Sequence, residues 1–153
     1  MTSTPDLVTT HPFLDGMDET YVKRLSMWSH RTTFRAGDTI FHQGGAANRF
    51  WLLCQGHVTI QIEDPGREPV AIETVGPDSI LGWSWLVPPY TWRFGAVAQD
   101  RVLALAFDAA AIRRLRVTEP GMSAGLYECF LGVVVRRLQA TRERMLGADV
   151  PRD

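Results

Sequence analysis

Ala36-Gly37-Asp38-Thr39-Ile40-Phe41-His42-Gln43-Gly44-Gly45 and, three residues on, Arg49-Phe50-Trp51-Leu52-Leu53-Cys54-Gln55-Gly56-His57-Val58 hold the reading of the fold. Short runs of β-forming residues end at glycine turns, where glycine enters positive φ without a side-chain clash. The pattern spreads in both directions. His57–Glu63 alternates, with Val58, Ile60 and Ile62 on one face and Thr59, Gln61 and Glu63 on the other. Further strands are expected at Arg31–Arg35, Thr39–His42, Phe50–Gln55, Val70–Val75, Ile80–Leu81, Trp92–Ala98 and Val102–Phe107. Asp64-Pro65-Gly66, Gly76-Pro77-Asp78 and Gln99-Asp100 supply turns between them. Eight short strands at this spacing imply a mainly β fold with flanking helices, an eight-stranded antiparallel jelly-roll or β-roll.

The flanks read as helices. Asp18 caps a short one carrying Tyr21, Val22, Leu25 and Trp28 at helical spacing. After Phe107, Asp108 caps Ala109–Arg116, which Pro120 and Gly121 end, and Ser123–Leu146 reads as one long helix. In it Tyr127, Leu131, Val134, Leu138, Thr141 and Met145 form a heptad seam. Leu126, Phe130 and Val133 form a second stripe beside it. Either both stripes are one broad core face, or one covers the roll and the other a second chain. A single domain over 11–147 is expected, with 1–10 and 148–153 as flexible termini.

Length and composition agree with one domain: 153 residues, 45% hydrophobic and 22% charged. A net charge of −1 argues against non-specific binding to nucleic acid or acidic membrane. The charge is uneven, −4 over residues 1–110 and +3 over 111–153. No signal-peptide pattern and no membrane-length apolar run occur, so a cytoplasmic location is expected. Cys54 and Cys129 make no disulfide framework and are expected to be buried and inert. His11, His30, His42 and His57 are scattered, without the His pair that metal-dependent cupin enzymes of similar shape require. No nucleophile elbow or phosphate loop occurs. Catalytic and metal-binding residues are therefore expected to be none.

The two glycine-punctuated stretches resemble the first half of the cyclic-nucleotide-binding domain family. The likeness extends over residues 11–146, through an N-terminal helix, a roll, a short helix and a long final helix. That resemblance implies an effector cassette between two strands. In the family it pairs a Phe-Gly-Glu turn with an Arg nine residues after the Glu. The Arg and backbone N–H groups hold the cyclic phosphate and the Glu takes the ribose. The matching segment here runs from Ile80 to Phe94. Gly82 keeps its place, but Trp83 stands at the Glu position and Trp92 at the Arg position. Arg93 follows one residue later, facing away in a regular strand or returned to the pocket by a bulge.

Gly82, Trp83, Ser84, Trp85, Trp92 and Arg93 are accordingly the candidate ligand-binding residues. Trp83, Trp85, Tyr90 and Trp92 are either ordinary core or the lining of a pocket for a flat ligand. What the resemblance implies is a bacterial, non-enzymatic sensor related to catabolite-activator-type regulators. No cofactor is certain; the effector is a cyclic nucleotide or another small anionic or aromatic compound. Homodimerisation through Tyr127, Leu131, Val134, Leu138 and Met145 is expected, with a partner protein as a further option. The chain ends a few residues past Leu146, where those regulators continue into a helix-turn-helix, so no direct DNA binding is expected. Arg136, Arg137, Arg142 and Arg144 are expected to stay solvated or meet an acidic partner. The alternative is a ligand-free interaction or dimerisation module of the same fold.

Overall fold

The structure, a computed structural model, describes residues 3–149. Its strands are β1 (Ser29–Phe34), β2 (Thr39–Phe41), β3 (Arg49–Gln55), β4 (Val58–Ile62), β5 (Val70–Val75), β6 (Ile80–Leu81), β7 (Gly95–Ala98) and β8 (Val102–Asp108). They form two four-stranded sheets, ordered β1-β8-β3-β6 and β2-β7-β4-β5, with every pairing antiparallel. The expected eight-stranded β-roll is therefore the fold observed.

Helices flank the roll: α1 (Thr4–Thr10), α2 (Glu19–Ser26), α3 (Ala109–Arg114) and α4 (Pro120–Asp149). β3 and β8 are apolar almost throughout, Phe50 to Leu53 and Ala104 to Phe107 being buried, because one face meets the opposite sheet and the other meets helices. Phe50 stacks on Phe107 at 4.7 Å between ring centroids and meets Phe130 of α4 edge-on at 5.1 Å. Phe13, in a 3-10 turn at Pro12–Leu14, closes the cluster against Phe130 at 4.8 Å.

Several expectations need correction. Residues 1–10 are not a loose terminus as far as they are described. Ser3 caps α1 by accepting the Asp6 N–H, and Val8 is fully buried. A seven-residue helix has little stability of its own, so its anchor is this burial. The next residue, His11, donates from Nε2 to the Leu53 carbonyl at 2.9 Å and accepts the Phe13 N–H at Nδ1. At the other end α4 reaches Asp149, beyond the expected limit; the rest of the 148–153 segment, residues 150–153, lies outside the described residues.

Pro120 opens α4 instead of closing α3, since proline suits a first helical turn where its missing N–H costs nothing. The expected strand Trp92–Ala98 starts only at Gly95, because the Trp92 main chain is bonded to the Gly44–Gly45 turn. Cys54 and Cys129 are half-buried, and burial pushes both thiols up from their ordinary value.

The long helix is two-sided. Met122, Leu126, Phe130 and Val133 are buried against the roll. The solvent seam is Leu131, Val135, Leu138 and Met145, so Val135 takes the place expected for Val134. Tyr127 and Val134 turn inward, Tyr127 onto Trp85 and Val134 into a cavity between α4 and the Gly82–Trp92 segment.

Candidate functional site

The cassette begins where β6 ends. Gly82 has φ +92, and a Cβ there would meet the Trp92 ring at 2.9 Å, so both backbone and space require glycine. A 3-10 turn at Ser84–Leu86 follows Trp83. Tyr90, at φ 58, closes the next turn by donating its N–H to the Val87 carbonyl at 3.0 Å. Thr91 bridges to Ala46. The Trp92 carbonyl accepts the Gly44 N–H at 2.7 Å, and the Trp92 N–H donates to the Gly45 carbonyl at 2.8 Å. The Gly44-Gly45 turn thus fixes the far end of the cassette.

This backbone divides the tryptophans. Trp92 is stacked on Phe41 at 3.8 Å and 15°, and forms one wall of a cavity of about 460 Å³. Trp83, Gly82 and Ser84 line the same cavity. Trp85 points the other way; it is fully buried among Phe50, Phe130 and Tyr127 and touches no part of the cavity. Arg93 is exposed and lines no cavity wall, so it is not returned to the pocket. Of the six candidate residues, four meet at the cavity and two do not.

Its opposite wall is α4, through Val134, Arg137, Leu138, Thr141 and Arg144. The Arg137 guanidinium lies over the Trp83 ring at 4.6 Å, donates from Nη2 to the Ile80 carbonyl at 3.0 Å, and sits 3.7 Å from the Glu73 carboxylate through Nε. Burial lowers Arg137 from the ordinary arginine value and Glu73 opposes the shift; the group stays charged. Arg144 donates to Thr141 Oγ1 at 3.1 Å and has no carboxylate within salt-bridge distance among the described residues. The expectation that Arg137 stays solvated or meets another protein is thus corrected.

Sequence reasoning missed Arg137, Arg144 and Glu73 as site residues. Arg137 falls three positions after Val134 and four before Thr141, a spacing that puts all three on neighbouring parts of one helix face. Nothing comparable marks Glu73, on an edge strand. Elsewhere Arg113 braces the cassette, stacking on Tyr90 at 3.9 Å and donating to the Trp85 carbonyl at 2.7 Å. Among the described residues no three of His, Cys, Asp or Glu gather in a metal-binding group, and no helix is long and apolar enough to cross a membrane.

The cyclic nucleotide-binding domain family matches residues 31–119. A CRP-like cAMP-activated global transcriptional regulator of Mycobacterium tuberculosis is 24% identical over 139 residues, covering 89% of this chain and 60% of that protein. The chain therefore spans less than two-thirds of the curated relatives it matches. Among solved structures, a Geobacter metallireducens protein described as cyclic nucleotide-binding superposes with a TM-score of 0.79 at 23% identity, covering 90% of this chain and 99% of that one. A cyclic nucleotide-binding domain from Methylobacillus flagellatus gives 0.78 at 15% identity, covering 97% and 84%. At such identities the likeness shows the fold.

Proposed function

The chain belongs to the cyclic nucleotide-binding domain family, and from that premise we propose that it is a non-enzymatic regulatory sensor whose effector occupies the cavity between Gly82–Trp92 and α4. One observation carries the reading: the cavity has the cassette as one wall and the long helix as the other. A ligand there contacts both, so it favours one packing of α4 over another by its differential affinity. The similar M. tuberculosis protein is a cAMP-activated regulator, which supports a regulatory role here.

The cassette argues for an altered effector. Trp83 and Trp92 stand where the family places the ribose-binding Glu and phosphate-binding Arg. Each charge-assisted contact is worth about 1.5–3 kcal/mol, so losing two leaves cAMP and cGMP weak ligands. A non-catalytic role fits the lining, whose only carboxylate, Glu73, already faces Arg137. Output runs through α4, to a second copy or a partner protein. The exposed seam at Leu131, Val135, Leu138 and Met145 supports that path and equally favours a second reading, a ligand-free pairing module.

Titration of cAMP, cGMP and a nucleotide panel against tryptophan fluorescence and melting temperature tests the proposal. Trp83 and Trp92 should report any occupant, and a specific ligand should raise the melting point by mass action. Binding of cAMP at micromolar concentrations would overturn the altered-pocket reading. No response to the nucleotides would exclude a nucleotide effector, and no response to flat aromatic compounds added to the same titration would leave the pairing module in its place.

A further inference from the structure

The cavity's chemistry narrows its occupant, on the premise that the cavity is the effector site. At about 460 Å³ it is in the size range of small-molecule sites. Its walls are chiefly aromatic and aliphatic, with Phe41, Trp83, Trp92 and Phe94 supplying four rings. The charged side chains at it are Glu73, Arg137 and Arg144, one negative and two positive, leaving one positive charge uncompensated. Besides these, Ser84, Thr141 and the indole N–H groups of Trp83 and Trp92 are the polar side-chain groups in the lining, so the hydroxyls of a sugar would be desolvated with few acceptors. Arg137, Thr141 and Arg144 follow one another along the α4 face that lines the cavity, and Thr141 Oγ1 donates to the Arg137 carbonyl while accepting from Arg144. Arg137 and Arg144 are therefore the groups in that row that an anion in the cavity would meet.

Glu73 now lies against Arg137 at 3.7 Å, a long contact that a better-placed carboxylate can displace. We propose that the effector is a flat, sugar-free ring compound with a single carboxylate, its ring against Trp83 and Trp92 and its carboxylate taking Arg137 from Glu73 with Arg144 beside it. A monoanion matches the uncompensated charge, and a carboxylate matches the planar fork of the guanidinium. Glu73 is thereby an internal competitor for the effector, holding α4 to β5 through Arg137 until the ligand arrives.

Calorimetric titration of the full chain with 2-naphthoate, its neutral counterpart 2-naphthalenemethanol, and cAMP tests this. Naphthoate is expected to bind at least about tenfold more tightly than the alcohol, the scale of one charge-assisted contact. Arg137→Gln should abolish that preference for acid over alcohol, with Arg137→Lys retaining part of it. Glu73→Gln should strengthen naphthoate binding by roughly two- to fivefold, the scale of a partly exposed ion pair. Equal affinity for acid and alcohol, tighter binding of cAMP than of naphthoate, or weaker naphthoate binding in Glu73→Gln would overturn the proposal. Leu138→Phe, which narrows the cavity, separates the two levels of the argument. If it abolishes both ring probes, the cavity is a binding site whatever the acid preference. If both probes bind it as they bind the wild type, or bind neither protein, the cavity reading fails and this proposal with it. Melting curves of each variant establish that it is folded.

Discussion

Gly82 shows how one residue can serve backbone and pocket together. Its φ of +92 costs an L-residue about 1–2 kcal/mol, and the Trp92 ring leaves a methyl group no room. Gly82→Ala should therefore lower stability by at least that amount in urea unfolding, and shift tryptophan emission as Trp92 is displaced. A variant with wild-type stability and emission would show that the cassette relaxes freely. The glycine was legible through the family cadence, but its second reason was not, since Trp92 reaches it only across the folded cassette. The same holds for the tryptophans. Four aromatics within ten residues left core and pocket both open; the 3-10 turn at Ser84–Leu86 sends Trp85 to the core and leaves Trp83 on the cavity.

At the scale of elements, α4 carries two apolar faces, one of the two arrangements that its stripes left open. Phe130 sits at the junction of Phe13, Phe50 and Trp85. Phe130→Ala should cost about 3–5 kcal/mol, as for other buried aromatic truncations, read from chemical denaturation. Leu131 is 62% exposed and touches neither core nor cavity. Leu131→Asp should leave folding nearly unchanged, yet halve the mass seen by light scattering if two chains pair along this seam. An unchanged dimeric mass would remove the seam from the interface. Of the seam that helical periodicity implied, Leu131, Leu138 and Met145 are exposed, while Tyr127 and Val134 turn inward and Val135 is exposed instead. A heptad count assigns faces without knowing where the roll sits, and here the cavity draws Val134 inward.

Across the whole molecule, His11 ties the N-terminal helix region to β3. Its two hydrogen bonds require a neutral ring, protonated at Nε2 and accepting at Nδ1. Burial lowers its pKa from the ordinary value, with the Leu53 bond and nearby Asp78 and Asp15 opposing. The unfolded chain therefore binds that proton more tightly. The contribution is complete above about pH 6.5 and is lost as pH falls below it toward the lowered folded value. Melting temperature should drop between pH 7 and 5.5, and His11→Gln should flatten the drop. Equal slopes in both proteins would sink the assignment. Glu63 acts in a lower window. Burial raises its pKa, but bonds from Gln61, the Gln43 N–H and His42 outweigh this and hold it down, so its contribution fades only below ordinary carboxylate values.

The sequence by itself determined the roll, because period-two alternation and glycine turns are local signals that leave little choice of architecture. It also located the cassette and the two apolar stripes of the long helix, whose patterns lie within continuous segments. Only the tertiary structure decided what faces what. Arg137, Glu73 and Trp83 come from α4, β5 and the cassette, and their meeting depends on how the long helix crosses the roll. Burial of Val8 likewise turned a polar terminus into an anchored helix. Contacts between distant segments depend on packing, which no single stretch of sequence encodes.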